Sequence, residues 1–242
     1  MEDFIHLHVH THYSILDGQS KVANLVKKAV GDGMRGMAIT DHGVMYGVKE
    51  LADCCAKVNK ERKAEGLEPF KPIFGCEMYV ARRTKEDKDK AMGDNSGYHL
   101  VVLAKNYKGY KNLIKLVSRA WVDGYYYKPR TDRADLERYH EGLIVCSACI
   151  AGEVPRKILD GDLEGAREAA QWYHDLFGDD YYLELQRHEV KDPSVVANRE
   201  TFPLQQRANR ELIRLAKELG INLQWVGPTT SDAGQQVTVI EG

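Results

Sequence analysis

Four histidines alternate with other residues in His6-Leu7-His8-Val9-His10-Thr11-His12. In an extended strand, side chains at i and i+2 share a face, so His8 and His10 can converge on one ion while Leu7 and Val9 pack on the other side. Neutral imidazole is the commonest protein metal ligand, and the spacing reads as a metal site on a strand. An affinity tag would be contiguous. Here apolar residues are interleaved, and a Ser14-Ile15-Leu16-Asp17-Gly18 turn follows. Further ligand types fall where strands are expected to end: Asp41 and His42, Glu77, His99 and Cys149. Each alone has a plainer reading: a satisfied core imidazole for His99, a solvated strand end for Glu77, a helix cap for Asp41, a small buried hydrophobe for Cys149. Jointly they point to one cleft, because parallel α/β folds gather functional groups at the carboxyl ends of their strands.

The elements that must position these residues alternate along the chain, which predicts parallel strands joined by helical crossovers. Strands are expected at 4–10, 36–40, 72–81, 98–104, 142–147, 181–185 and 221–226. Helices are expected at 21–32, 46–65, 107–120, 153–159, 163–177 and 203–219. In the last of these, Leu204, Ala208, Leu212, Leu215 and Leu219 repeat at helical spacing and Gly220 marks the stop. That is about seven strand and helix units, and residues 82–96, rich in Lys, Asp and Glu, read as a solvated loop.

A chain of 242 residues can form one α/β domain with a sizeable core. With 34 Lys+Arg against 36 Asp+Glu it carries no surface-wide cationic field, so any nucleic-acid contact must be local. Five cysteines, an odd number, together with no signal peptide and no apolar run long enough to span a bilayer, favour a reducing cytoplasm and no membrane. Cys146 and Cys149 have CxxC spacing but lack a second CxxC for zinc and a redox βαβ setting, so a disulfide oxidoreductase is set aside.

His8-Val9-His10-Thr11, Ile39-Thr40-Asp41-His42-Gly43, Gly75-Cys76-Glu77, His99 and Ser147-Ala148-Cys149 resemble the ordered motifs of the polymerase and histidinol phosphatase (PHP) family. A narrower resemblance is to the branch forming the amino-terminal domain of bacterial DNA polymerase III alpha subunits. It is carried by Ser14-Ile15-Leu16-Asp17-Gly18, Leu103-Ala104-Lys105-Asn106, Gly109-Tyr110-Lys111-Asn112-Leu113, Tyr126-Tyr127-Lys128-Pro129-Arg130 and Gly152-Glu153. The resemblance implies a distorted (β/α)7 barrel over residues 1–226, with up to three divalent metals in a cleft at the strands' carboxyl ends. It also implies a ligand set: His8, His10 and Glu77 on one metal, Glu77 bridging to a second with His99 and Cys149, and Asp17 with His42 on a third. Zinc suits imidazole and thiolate best, while manganese, iron or magnesium fit the carboxylates. Such a cleft would hydrolyse phosphodiesters, which in a replicative polymerase means 3′–5′ exonuclease proofreading on a single-stranded 3′ end. Implied partners are the remainder of the polymerase alpha chain and its exonuclease subunit. The alternative is a catalytically silent module supporting the polymerase core, and a free-standing histidinol-phosphatase type fits the polymerase-branch signatures less well. DNA synthesis itself is not expected from these 242 residues, which lack the carboxylates for it.

The chain departs from the family after the last strand, where Gly227-Pro228-Thr229-Thr230-Ser231-Asp232-Ala233-Gly234 replaces an expected Ala-Thr-Asn-Asp-x-His segment. Asp232 can stand in for the aspartate, but Gly234 offers no side-chain ligand. The tail 227–242 is unlike the family and reads as truncation or added sequence. Asp41 and His188 are further cleft candidates, and His6 and His12 are expected behind the ligands or on the surface. The stretch 125–130 combines three tyrosines with Lys128 and Arg130, suited either to stacking on bases and holding phosphate or to packing as a positioning loop.

Overall fold

The computed structural model describes residues 4–189, 192, 194–228 and 236–240. Among these described residues eight α-helices and eight strands follow one another in the order α1 (Val22–Gly31), β1 (Gly36–Ile39), α2 (Val48–Ala64), β2 (Lys71–Ala81), β3 (Gly97–Ala104), α3 (Tyr107–Val122), β4 (Arg130–Thr131), α4 (Arg133–Tyr139), β5 (Leu143–Cys146), α5 (Glu153–Asp160), α6 (Leu163–Phe177), β6 (Tyr181–Gln186), α7 (Val196–Arg199), α8 (Thr201–Leu219), β7 (Asn222–Pro228) and β8 (Gln236–Ile240). The strands form one sheet in the order β1-β2-β3-β5-β6-β7-β8, with β4 paired to β2, curled into part of a barrel under its helices.

Most sequence-based boundaries hold within a residue or two, with two differences of substance. Strand β3 is antiparallel to both neighbours, β2 and β5, so the sheet is mixed rather than wholly parallel. The expected first strand is an extended segment with a single bridge, His6 to Met37; Ala38 N–H donates to the His6 carbonyl and Thr40 N–H to that of Val9. Elements β4, α4 and α7 lie in stretches where no periodicity was apparent.

Strand alternation divides the sheet into two faces. Leu100 and Val102 of β3, with Cys76, Met78 and Val80 of β2 and Leu183 and Leu185 of β6, pack outward against α3, α5, α6 and α8. Val101 and Leu103 turn inward with Leu7, Ala38, Cys146 and Ala148. A third cluster joins Val9, Met37 and Ile39 to α1 and α2. On α3, Leu113, Leu116 and Ala120 recur at helical spacing and are fully buried. Truncating Leu116 to Ala would cost roughly 2–5 kcal/mol. Asn106, Asp132 and Asp162 begin α3, α4 and α6 by accepting the N–H of the residue three positions on. Among the described residues no helix is long and apolar enough to cross a membrane.

Residues 82–96 are mostly exposed, as a solvated loop would be, but Lys85 and Asp94 are buried. Arg130 is completely buried, and its guanidinium donates to the carbonyls of Gly124 (3.1 Å), Asp94 (2.9 Å) and Lys85 (2.8 Å). The Lys85 ammonium, also buried, lies 3.1 Å from Asp135 and 3.5 Å from Asp132. The loop is thus fastened to β4 and α4 from within.

Candidate metal centre

The inner face of the sheet positions the cluster. In β2 the inward residues alternate with Cys76 and Met78, which sets Glu77 inward, opposite Val101 in β3; His99 lies opposite Tyr79. Glu77 therefore comes from the body of a strand, not its end. Because β3 runs antiparallel, its amino-terminal end brings His99 to the edge where β1 delivers Asp41 and His42. The backbone fixes His42 as well: Gly43 N–H donates to the Glu77 carbonyl (2.9 Å) and Glu77 N–H to that of Asp41 (3.1 Å). Gly43 has φ +65°, and a Cβ there would sit 2.8 Å from Pro129.

The segment carrying His8 and His10 is pinned by Thr40 and Asp41. Thr40 Oγ1 accepts from Val9 N–H and donates to its carbonyl. The buried Asp41 carboxylate accepts from Thr11 N–H (2.7 Å), from the Thr11 hydroxyl and from Ser14 Oγ (2.8 Å). Ser14 Oγ lies 3.2 Å from His10 Nδ1, so Asp41 orients His10 through Ser14. Gly18 closes the turn that carries Asp17, where a Cβ would fall 1.8 Å from the Thr11 carbonyl oxygen.

Four imidazoles surround the Glu77 carboxylate. His8 Nε2 is 3.5 Å from Oε1, His99 Nδ1 3.0 Å from Oε1, His10 Nε2 3.1 Å from Oε2 and His42 Nδ1 2.9 Å from Oε2. His8 Nε2 and His10 Nε2 are 3.2 Å apart. His42 Nε2 meets Asp17 Oδ2 at 2.7 Å. Cys149 Sγ is 3.6 Å from His99 Nδ1 and 3.9 Å from Glu77 Oε1. Among the described residues three overlapping groups result, His8/His10/Glu77, His10/Asp17/His42 and His42/Glu77/His99, in each of which the ligand atoms lie within 4.8 Å of one another. The structure thus brings together His8, His10, Asp17, His42, Glu77, His99 and Cys149; Asp232 lies outside the described residues.

The electrostatics follow from this crowding. Burial alone would push the Glu77 carboxyl up, but the His8 charge and the hydrogen bonds of His10, His42 and His8 outweigh it and hold the group well below its ordinary 4.5. His8 is wholly buried, which opposes its charge, yet Glu184 and Glu77 raise it well above 6.5. His42 is raised too, with the Glu77 hydrogen bond overcoming burial. Burial, then the Glu77 charge, pushes the Cys149 thiol well above 9.0. Ala148, just before it, holds φ +59° although not glycine, a strained conformation of the kind that collects at functional sites.

Residues behind the ligands complete the site. Glu184 on β6 was not singled out in the sequence, yet its buried Oε1 lies 2.7 Å from His8 Nδ1 and accepts from Gln186 Nε2 at 2.7 Å. Its signal was present: Glu184 and Gln186 are polar on alternate positions of an otherwise apolar strand, hence on one face. His188 is held at α8 instead, its N–H donating to Gln205 Oε1 (2.8 Å). His6 packs edge-on to Phe4 and His12 against Tyr13, and neither belongs to a ligand group among the described residues. Burial pushes His6 down to about 4. Arg130 is spent on backbone carbonyls and is inaccessible to DNA, so of the two roles open for it, packing holds and substrate binding does not. Lys128 stands with Nζ 5.3 Å over the Tyr79 ring, itself stacked beside His42 and edge-on to His99.

Residues 6–188 match the PHP domain family. DNA polymerase III subunit alpha of Borreliella burgdorferi is 44% identical over 91% of this chain and 17% of its own length. That of Treponema pallidum is 42% identical over 91% of this chain and 17% of its own, and that of Aquifex aeolicus 40% over 92% and 18%. The chain therefore spans under a fifth of the length of these relatives. A Bifidobacterium adolescentis structure assigned as a metal-dependent phosphoesterase superposes with a TM-score of 0.47 at 14% identity, covering 93% of this chain and 87% of that one.

Proposed function

This chain belongs to the PHP domain family and is homologous to part of DNA polymerase III alpha subunits; from that premise we propose that its cleft is a metal-dependent phosphodiesterase site acting on single-stranded 3′ ends of DNA, as a 3′–5′ exonuclease within a replicative polymerase. The observation that carries this reading is the convergence of four imidazoles and the Glu77 and Asp17 carboxylates on one cleft, in overlapping groups whose ligand atoms lie within 4.8 Å of one another, with the Cys149 thiol beside His99 and Glu77. Behind them Glu184 Oε2 is buried without a hydrogen bond, which costs roughly 1–3 kcal/mol unless something satisfies it. Divalent cations fit this donor set of imidazoles, carboxylates and one thiol. Zinc suits it best, with manganese, iron or magnesium as further candidates.

His8, His10 and Glu77 would hold one ion, His99 and Cys149 with Glu77 a second, and Asp17 with His42 a third; Asp232 remains a candidate from outside the described residues. When bound, such ions polarise phosphoryl oxygens and lower the pKa of water to give a nucleophile. The chain's own groups supply the rest. Glu77 stays ionised at neutral pH, Glu184 fixes His8 through Nδ1 so that Nε2 faces the cleft, and Ser14 with Asp41 does the same for His10. A purely structural module would have no use for so many ligand-type side chains converging on one cleft. The rest of a polymerase alpha chain, an exonuclease subunit and a cytoplasmic replication machinery are the partners and setting proposed with this function.

The test is hydrolysis of a 5′-labelled single-stranded oligonucleotide by protein freed of metal and then given zinc or manganese. Shortening from the 3′ end with either ion, abolished by a chelator and by His10→Ala, is expected. No shortening by protein that has demonstrably taken up metal would overturn the proposal.

A further inference from the structure

We infer that an exposed aromatic ledge formed by Trp121, Tyr125 and Tyr127, with Lys128 at its inner edge, receives the bases of a single-stranded DNA whose 3′ end lies in the cleft. The inference rests on the phosphodiesterase reading and names how that substrate is held. The stretch 125–130 divides into two halves with opposite fates. Pro129 and Arg130 are buried and serve the fold, whereas Tyr125 is 49% exposed, Tyr127 58% and Trp121 41%. Large aromatic rings left in water at three neighbouring positions are not explained by packing.

Position links the ledge to the cleft. Trp121 Nε1 donates to the carbonyl of Gly43 (2.8 Å), the residue after the ligand candidate His42. Tyr125 stacks on Trp121 with ring centres 5.5 Å apart and planes 18° from parallel. Lys128 Nζ lies over the ring of Tyr79, and that ring packs on both His42 and His99. The ledge therefore borders the side of the cleft where His42 and His99 open to solvent.

Backbone conformation gives an independent observation. Tyr127 holds φ +60°, in the left-handed region that a bulky side chain enters at a cost. The turn around it is closed by Tyr126 N–H donating to the Lys128 carbonyl (3.1 Å), so Tyr127 stands at the tip. Glycine or asparagine would suit the turn better, yet a ring is kept there and displayed to water. Stacked rings with an adjacent ammonium are the general means of gripping single strands without reading sequence, because every base has a π-face and every linkage a charge.

The test is binding of a fluorescent oligothymidylate of about twelve nucleotides by the metal-free chain in EDTA, read by anisotropy, so that it does not depend on hydrolysis. An abasic strand of equal length and charge is the comparison. Wild type is expected to prefer the thymidylate, Tyr125→Ala and Tyr127→Gly each to lose roughly tenfold in affinity for it, and the double variant to lose most of the preference for it over the abasic strand. Tyr127→Gly should unfold no earlier than wild type, since it relieves the left-handed strain, which separates loss of binding from loss of fold. Equal affinity of wild type for the two strands, unchanged affinity in the double variant, or no binding by wild type would each overturn the ledge. Failure of hydrolysis alone would leave this result standing and count against the cleft.

Discussion

Two clusters of buried charge lie in this domain, and they are finished differently. Around Arg130 each guanidinium nitrogen donates to a backbone carbonyl, and Asp132 and Asp135 flank the Lys85 ammonium. Around the buried Glu77, by contrast, His10, His42 and His99 are partly open to solvent, Glu184 Oε2 is buried with no hydrogen-bond partner, and neither has the amide of Gln224, which pairs in register with Glu184 across β6 and β7. A closed network stabilises a loop. An open one, assembled from widely separated segments of chain, is a place for ligands.

This contrast breaks most sharply at Arg130. Arg130→Met should cost roughly 3–5 kcal/mol in denaturant unfolding, because three buried carbonyls lose their donor, while metal uptake by the folded fraction stays unchanged. Glu77→Gln should do the reverse. Metal affinity measured by competition with a chromophoric chelator should fall on the order of 100-fold or more, and the metal-free chain should lose less stability than with Arg130→Met.

Glu184 sharpens the comparison. Glu184→Ala should weaken metal binding roughly 10- to 100-fold by freeing the His8 ring, and Glu184→Gln, whose amide oxygen can still accept from Nδ1, should restore most of it. If Gln and Ala behave alike, Glu184 acts otherwise than by orienting His8.

The pH dependence separates the clusters again. His8 and His42 are raised above 6.5, so in the metal-free chain their charged forms contribute stability that is complete below 6.5 and is lost as pH rises through the raised values. Glu77 is lowered below 4.5, and its contribution is present above 4.5 and lost as pH falls through the lowered value. Metal must displace protons from His8, His42 and the raised Cys149 thiol, so metal affinity should increase as pH rises through neutrality. An affinity flat from about pH 6 to 8 would contradict this. The smallest effect belongs to the exposed Lys28–Asp32 pair, where Lys28→Ala should change stability by under about 0.5 kcal/mol.

How much of this was legible in the sequence differs between the clusters. The His8/His10 spacing and the strand-end ligands led to the Glu77 site because short-range spacing and strand parity suffice to share a face. The direction of β3 was not legible, since alternation reveals which face a residue takes but not which way a strand runs. Burial of Lys85 within the 82–96 charge run was not legible because its partners are distant: Lys85 meets Asp132, 47 positions away, and no local periodicity announces it. Glu184 lay between these cases, visible as polar alternation but with its partner His8 176 positions earlier.

The central claim is that the open cluster binds metal through the histidines at the start of the chain. Plasma mass spectrometry on untagged protein purified without chelator, compared with a His8→Ala, His10→Ala double variant, tests it most directly. About two or more equivalents of zinc, manganese or iron in wild type, lost in the variant, is the result the account predicts. Metal well below one equivalent in both would contradict it.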